Sequence, residues 1–124
     1  MEEVQFNPNG GVLTAKAVFL GNYLADYKML LREKNSNQQS LLLEGDNQNS
    51  QDDQAVLPTP VNVNDGRRVI LKTAFTAKDA TQYLDYKIKL QIYQDGNLIG
   101  EKVESGELTD GGQYSLLFIK LKSN

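Results

Sequence analysis

The chain has 124 residues, a formal charge of −3, and 40% hydrophobic against 23% charged residues, the mixture of a single folded domain large enough to bury a core. Cysteine and histidine are both absent, which removes disulfides, thiol nucleophiles, the usual zinc sites and Ser-His-Asp catalysis. Lys and Arg are scattered singly, with no stripe that could neutralise a phosphate backbone, so no nucleic-acid partner is expected.

After the turn cluster Asn7-Pro8-Asn9-Gly10-Gly11, residues 12–20 read as a strand with Leu13, Ala15, Ala17 and Phe19 on one face. Residues 23–33 form the next, with Tyr27, Met29 and Leu31 inward and Asp26, Lys28 and Arg32 outward. Asn35-Ser36-Asn37 turns the chain into a third strand at 40–44. A long polar loop then spans 45–66; Pro58 and Pro60 forbid a central strand there, and 61–63 are expected to pair briefly at an edge. Asn64-Asp65-Gly66 leads into a fourth strand at 67–76. Residues 83–94 are the clearest strand, with Leu84, Tyr86, Ile88, Leu90 and Ile92 alternating with Asp85, Lys87, Lys89, Gln91 and Tyr93. Asp95-Gly96-Asn97 signals a hairpin into a sixth strand at 98–104, and the last is expected at 113–122.

The two halves echo one another. LTAKAVF at 13–19 aligns without a gap on VILKTAF at 69–75, and DYKMLL at 26–31 on DYKIKL at 85–90. The first copy carries one extra residue, Ala25, which reads as a β-bulge. Seven strands joined by short turns, with this echo, define an all-β fold. The expectation is a small antiparallel β-sandwich over residues 1–124, immunoglobulin-like or transthyretin-like, with an internal pseudo-two-fold repeat.

The chemistry narrows by exclusion. No P-loop or dinucleotide fingerprint is present, because Gly10-Gly11 and Gly111-Gly112 have no helix behind them. A carboxylate pair or a Schiff-base lysine would need a deep, desolvated pocket that a small sandwich rarely provides. The chain therefore reads as a non-enzyme, with no cofactor. No apolar run approaches the ~20 residues of a membrane-spanning helix. Met-Glu-Glu-Val-Gln lacks the basic and apolar parts of a signal peptide, and an envelope or extracellular place stays open for a chain trimmed of its leader.

Two places could carry binding. In the last strand, Tyr114, Leu116 and Phe118 point one way and Leu117, Ile119 and Leu121 the other; Leu41-Leu42-Leu43 is similarly two-sided. A strand apolar on both faces is either central and covered or part of an interface. Tyr93, outward on its own strand, adds an aromatic suited to a protein or sugar partner, whereas Tyr27, Tyr86 and Tyr114 also read as core or rim residues. The expected function is recognition of a protein partner, or self-association, through a sheet edge or an apolar strand face. The alternative is a calcium-assisted module for carbohydrate or lipid headgroups, with Asp46, Asn49, Asp52 and Asp53 offering oxygen ligands in the polar loop. That loop reads first as a plain solvated connection and only second as a metal site, since its spacing is not that of an EF-hand.

Overall fold

Alternation of apolar and polar side chains makes each strand two-faced, and a computed structural model shows two sheets closing over their apolar sides. It describes residues 2–48, 53–78 and 84–124. The strands are β1 (Glu2–Phe6), β2 (Leu13–Leu20), β3 (Tyr23–Arg32), β4 (Gln39–Asp46), β5 (Gln54–Val56), β6 (Arg68–Ala77), β7 (Asp85–Gln94), β8 (Asn97–Glu107) and β9 (Gly112–Ser123). One sheet has the order β1-β9-β6-β3-β4 and the other β5-β2-β7-β8. All neighbours are antiparallel except β1, which runs parallel to β9.

The all-β sandwich is as expected, and so is the inward phase of its strands: Leu13, Ala15, Tyr27, Met29, Leu31, Ile88, Leu90 and Ile92 are buried. The immunoglobulin order puts the last strand beside the one preceding it in the chain. Here β9 lies between β1 and β6 while β8 belongs to the other sheet. What the structure supports is therefore the antiparallel sandwich and neither named topology.

The echo between the halves has a structural counterpart. Exchanging β2 with β6, β3 with β7, β4 with β8 and β5 with β9 turns the order β9-β6-β3-β4 into β5-β2-β7-β8, so one sheet maps onto the other. Each of the hairpins β3–β4 and β7–β8 also carries one register shift, at Met29/Leu30 and at Ile92/Tyr93. Ala25 is not the bulge its extra position suggested. It pairs in unbroken register with Phe75 and is buried.

Three further departures concern the chain start and the polar loop. β1 was not expected; its Val4 and Phe6 are buried in the core, and its backbone borders β9. Within 45–66, β5 adds a three-residue edge to β2, and residues 61–63 form part of a 3-10 turn (Val61–Asn64) instead of an edge strand. Asn64 drives that turn: fully buried, it donates from Nδ2 to Pro58 O at 2.9 Å and Val61 O at 3.1 Å. Where the loop leaves β4, Asn47 holds it to β3 by donating to Tyr23 O and accepting from Ala25 N–H, both at 2.9 Å.

Candidate functional site

The last strand decides where the surface becomes unusual. β9 is flanked by β1 and β6, and its inward residues Leu117, Ile119 and Leu121 are in the core. Of its outward residues, Tyr114 and Leu116 are exposed while Phe118 and Lys120 are half-buried. Tyr114 is 83% exposed and Leu116 49%, so Tyr114 is neither core nor rim.

Over β9, β6, β3 and β4 the registers assemble four transverse rows of the outer face. Tyr114 lies beside Ala74, Asp26 and Asp46; Leu116 beside Lys72, Lys28 and Glu44. Phe118 lies beside Ile70, Leu30 and Leu41; Lys120 beside Arg68, Arg32 and Gln39. A groove of about 770 Å³ runs over the first two rows, lined by Tyr114, Leu116, Lys72, Lys28, Glu44 and Asp46. The third row is a band of apolar side chains crossing four strands. Ile70 points outward, yet it is only 1% exposed, with Phe118 and Leu30 beside it and Arg68 and Lys72 next along its strand.

The charges are arranged against the usual preference of a sheet. Directly opposed like charges destabilise neighbouring strands, but Lys28 stands opposite Lys72 and Arg32 opposite Arg68. Among the described residues the ion pairs within 4.0 Å are Arg67–Glu33 and Lys122–Asp65, and neither involves these four cations. Arg32 bonds its own turn, donating from Nε to Ser36 O at 2.9 Å and from Nη2 to Asn37 Oδ1. Arg68 has a buried Nε with no hydrogen-bond partner. Asp65 is held below the usual carboxylate range, first by the Ser123 backbone N–H it accepts at 2.9 Å and then by Lys122.

Of the four residues expected to bind a partner, the structure brings Tyr114, Leu116 and Phe118 together and separates Tyr93 from them. Tyr93 is on the outer side of the other sheet, donating to Gln91 Oε1 at 3.0 Å in a small hollow with Thr14, Lys16 and Asp95. The candidate calcium ligands do not assemble among the described residues. Asn49 and Asp52 lie outside them. Asp53 accepts a hydrogen bond from the Tyr27 hydroxyl at 2.7 Å, and Asp46 accepts one from Gln48 N–H at 2.9 Å at the end of β4. Among the described residues no three His, Cys, Asp or Glu side chains converge.

Sequence reasoning missed the partners of β9 on this face: Leu30, Ile70, Lys72 and Arg68. A signal existed for two of them. Leu30-Leu31 and Val69-Ile70-Leu71 are apolar in both phases, like Leu116-Leu117-Phe118, and such strands belong side by side.

Fold and site together define a β-sandwich that displays on one sheet a shallow groove with an exposed aromatic and charges of both signs, Lys28 and Lys72 against Asp26, Glu44 and Asp46. Comparison with protein-family models, curated proteins and solved structures finds no match for this chain. Function is therefore argued from the groove itself.

Proposed function

We propose that the chain is a non-catalytic binding or assembly module that recognises a protein through the outer face of its five-stranded sheet. The observation that carries this reading is Tyr114, 83% exposed beside half-exposed Leu116 on the stretch of β9 that β6 borders and that β1, pairing only from Ile119 onward, does not reach. A solvated outer face normally carries polar side chains in this phase. An aromatic held out over a groove offers apolar area and a hydroxyl at low entropic cost, the profile of an interface anchor. The opposite sheet face supplies a contrast within the same molecule. There Tyr93, Gln91 and Glu101 satisfy one another in a chain of hydrogen bonds at 3.0 and 2.9 Å.

The test is photo-cross-linking in the producing cell, with a photoreactive phenylalanine replacing either Tyr114 or Tyr93. Protein adducts are expected from position 114 and not from position 93, and their mass tells a second copy from a foreign protein. A chain that gives no adduct at 114 would sink the reading.

A further inference from the structure

Cations that are scattered singly along the sequence are gathered by the strand registers onto the middle of one sheet face. On the outer side of β6 and β3, Arg68 stands opposite Arg32, Ile70 opposite Leu30, and Lys72 opposite Lys28. Two like-charged pairs therefore bracket an apolar pair. Lys120 extends the arginine row, and Phe118 and Leu41 extend the apolar one. From this pattern we infer that the partner lays an extended segment along β6, with acidic residues at i and i+4 and an apolar residue at i+2. The inference rests on the reading of this face as the recognition surface and adds the chemistry of what is recognised.

Charge complementarity carries the argument. Like charges directly opposed across a ladder cost stability, and among the described residues no carboxylate comes within 4.0 Å of these five cations. Glu3 shares a row with Lys120, and Glu44 with Lys28, yet both stand outside that distance. All five cations are at least partly exposed, so a ligand can reach them. A carboxylate over each pair would offset the repulsion twice, with an apolar side chain over Ile70 and Leu30 between them. The spacing sets the form of the ligand. Successive outward residues of a strand are about 6.8 Å apart, so a second extended chain keeps step with the rows, whereas a helix repeats every ~5.4 Å and drifts out of step. The same rows select protein over other anions. A nucleic acid or an anionic bilayer would set charge over the apolar band as well, and against Asp26, Glu44 and Asp46 towards the Tyr114 end. The run acidic-x-apolar-x-acidic occurs nowhere in residues 1–124, so the segment belongs to a different protein.

Neutralising the pairs separates binding from folding. Arg68→Gln combined with Lys72→Gln removes one charge from each pair, so the thermal midpoint is expected to hold or rise. With the photoreactive phenylalanine at position 114 in the producing cell, this double variant should lose the protein adduct at least about tenfold. Mass spectrometry of the parent's adduct should find the acidic-x-apolar-x-acidic run in the cross-linked partner peptide. In vitro, the blocked synthetic peptide Thr-Glu-Thr-Val-Thr-Glu-Thr should bind the purified chain and shift the amide resonances of β6 and β3. Its counterpart Thr-Lys-Thr-Val-Thr-Lys-Thr, polyphosphate and phosphatidylserine vesicles should not. Should the double variant fail to fold, the peptide titration of the parent chain decides alone. Adducts at 114 that ignore the neutralised pairs, or a partner segment without the two carboxylates, overturn the acidic segment and keep the recognition face. So do an acidic peptide that leaves β6 and β3 unmoved, polyphosphate or vesicles that bind in its place, and an adduct made of two copies of the chain. No adduct at 114 removes the face itself, and the inference with it.

Discussion

Thr73 and Ser115 face each other across β6 and β9 on the inner side of the sheet, and their hydroxyl oxygens are buried without hydrogen-bond partners. A hydroxyl stranded in this way costs about 1–3 kcal/mol of desolvation. Thr73→Val keeps the branched shape and removes the polar atom, so it is expected to raise stability by about 1 kcal/mol, a few degrees in thermal unfolding. A fall of that size would mean the hydroxyl does something the geometry does not show. Next to Thr73 in the same row, Tyr27 is buried and donates to Asp53 at 2.7 Å. Burial raises its phenol above the ordinary value, and the Asp53 hydrogen bond adds to this; burial does the same to Tyr23, whose hydroxyl donates to Lys87 O. The folded state therefore keeps these protons to higher pH than the unfolded chain, whose phenols titrate near about 10. The stability from these two groups is fully present below about pH 10 and is lost as pH rises beyond it. Phenolate absorbance followed against sheet signal should show Tyr23 and Tyr27 ionising in step with unfolding. Ordinary titration of all six tyrosines in a folded chain would contradict this.

At the level of strands, the sandwich depends on a contact that the sequence conceals. β8 passes β1 so closely that a Cβ on Gly100 would stand 2.3 Å from Val4 Cγ2. Gly100→Ala should therefore destabilise the chain by about 1–3 kcal/mol through overpacking, and Val4→Ala in the same chain should recover part of the loss. Urea unfolding of the two single variants and the double variant checks this; additive losses would disprove the contact. Gly100 read as an unremarkable residue of a hairpin strand, because close approach of strands distant in sequence leaves no local mark. β1 escaped for a related reason. Its run Glu2-Glu3-Val4-Gln5-Phe6 has only two apolar residues, and its strand character comes from pairing with β9 at the far end of the chain. Where alternation is long, as in β7, the inward set Ile88, Leu90 and Ile92 was legible outright. The binding face was half legible. Alternation put Tyr114, Leu116 and Phe118 on one side of a strand, but which strands lie next to it depends on pairing across the chain, and so did the separation of Tyr93.

Across the whole molecule the topology is close to symmetric, and each sheet exposes apolar side chains, Leu20, Val56, Leu98 and Val103 on the four-stranded one. The two sheets exchange under one operation, yet only the five-stranded sheet turns Tyr114, Leu116 and Leu41 outward. The same topology dictates how the chain must fold. Each half supplies strands to both sheets: β2 of the first half pairs with β7 of the second, and β3 with β6. Residues 84–124 alone keep the β7–β8 hairpin and β9, but lose β2 and β6, the neighbours that complete their sheets. Two or three strands without a facing sheet cannot bury enough apolar surface to offset their ordering. Fragment 84–124 should be unfolded by circular dichroism when separate, and fragment 1–78, which keeps β6-β3-β4 and β5-β2 but lacks β7, β8 and β9, should show less sheet than its share of the intact chain. Mixed in equal amounts, they should regain sheet signal and migrate as one particle. If fragment 84–124 folds by itself, it is an independent unit and the interleaved core is not what stabilises the sandwich.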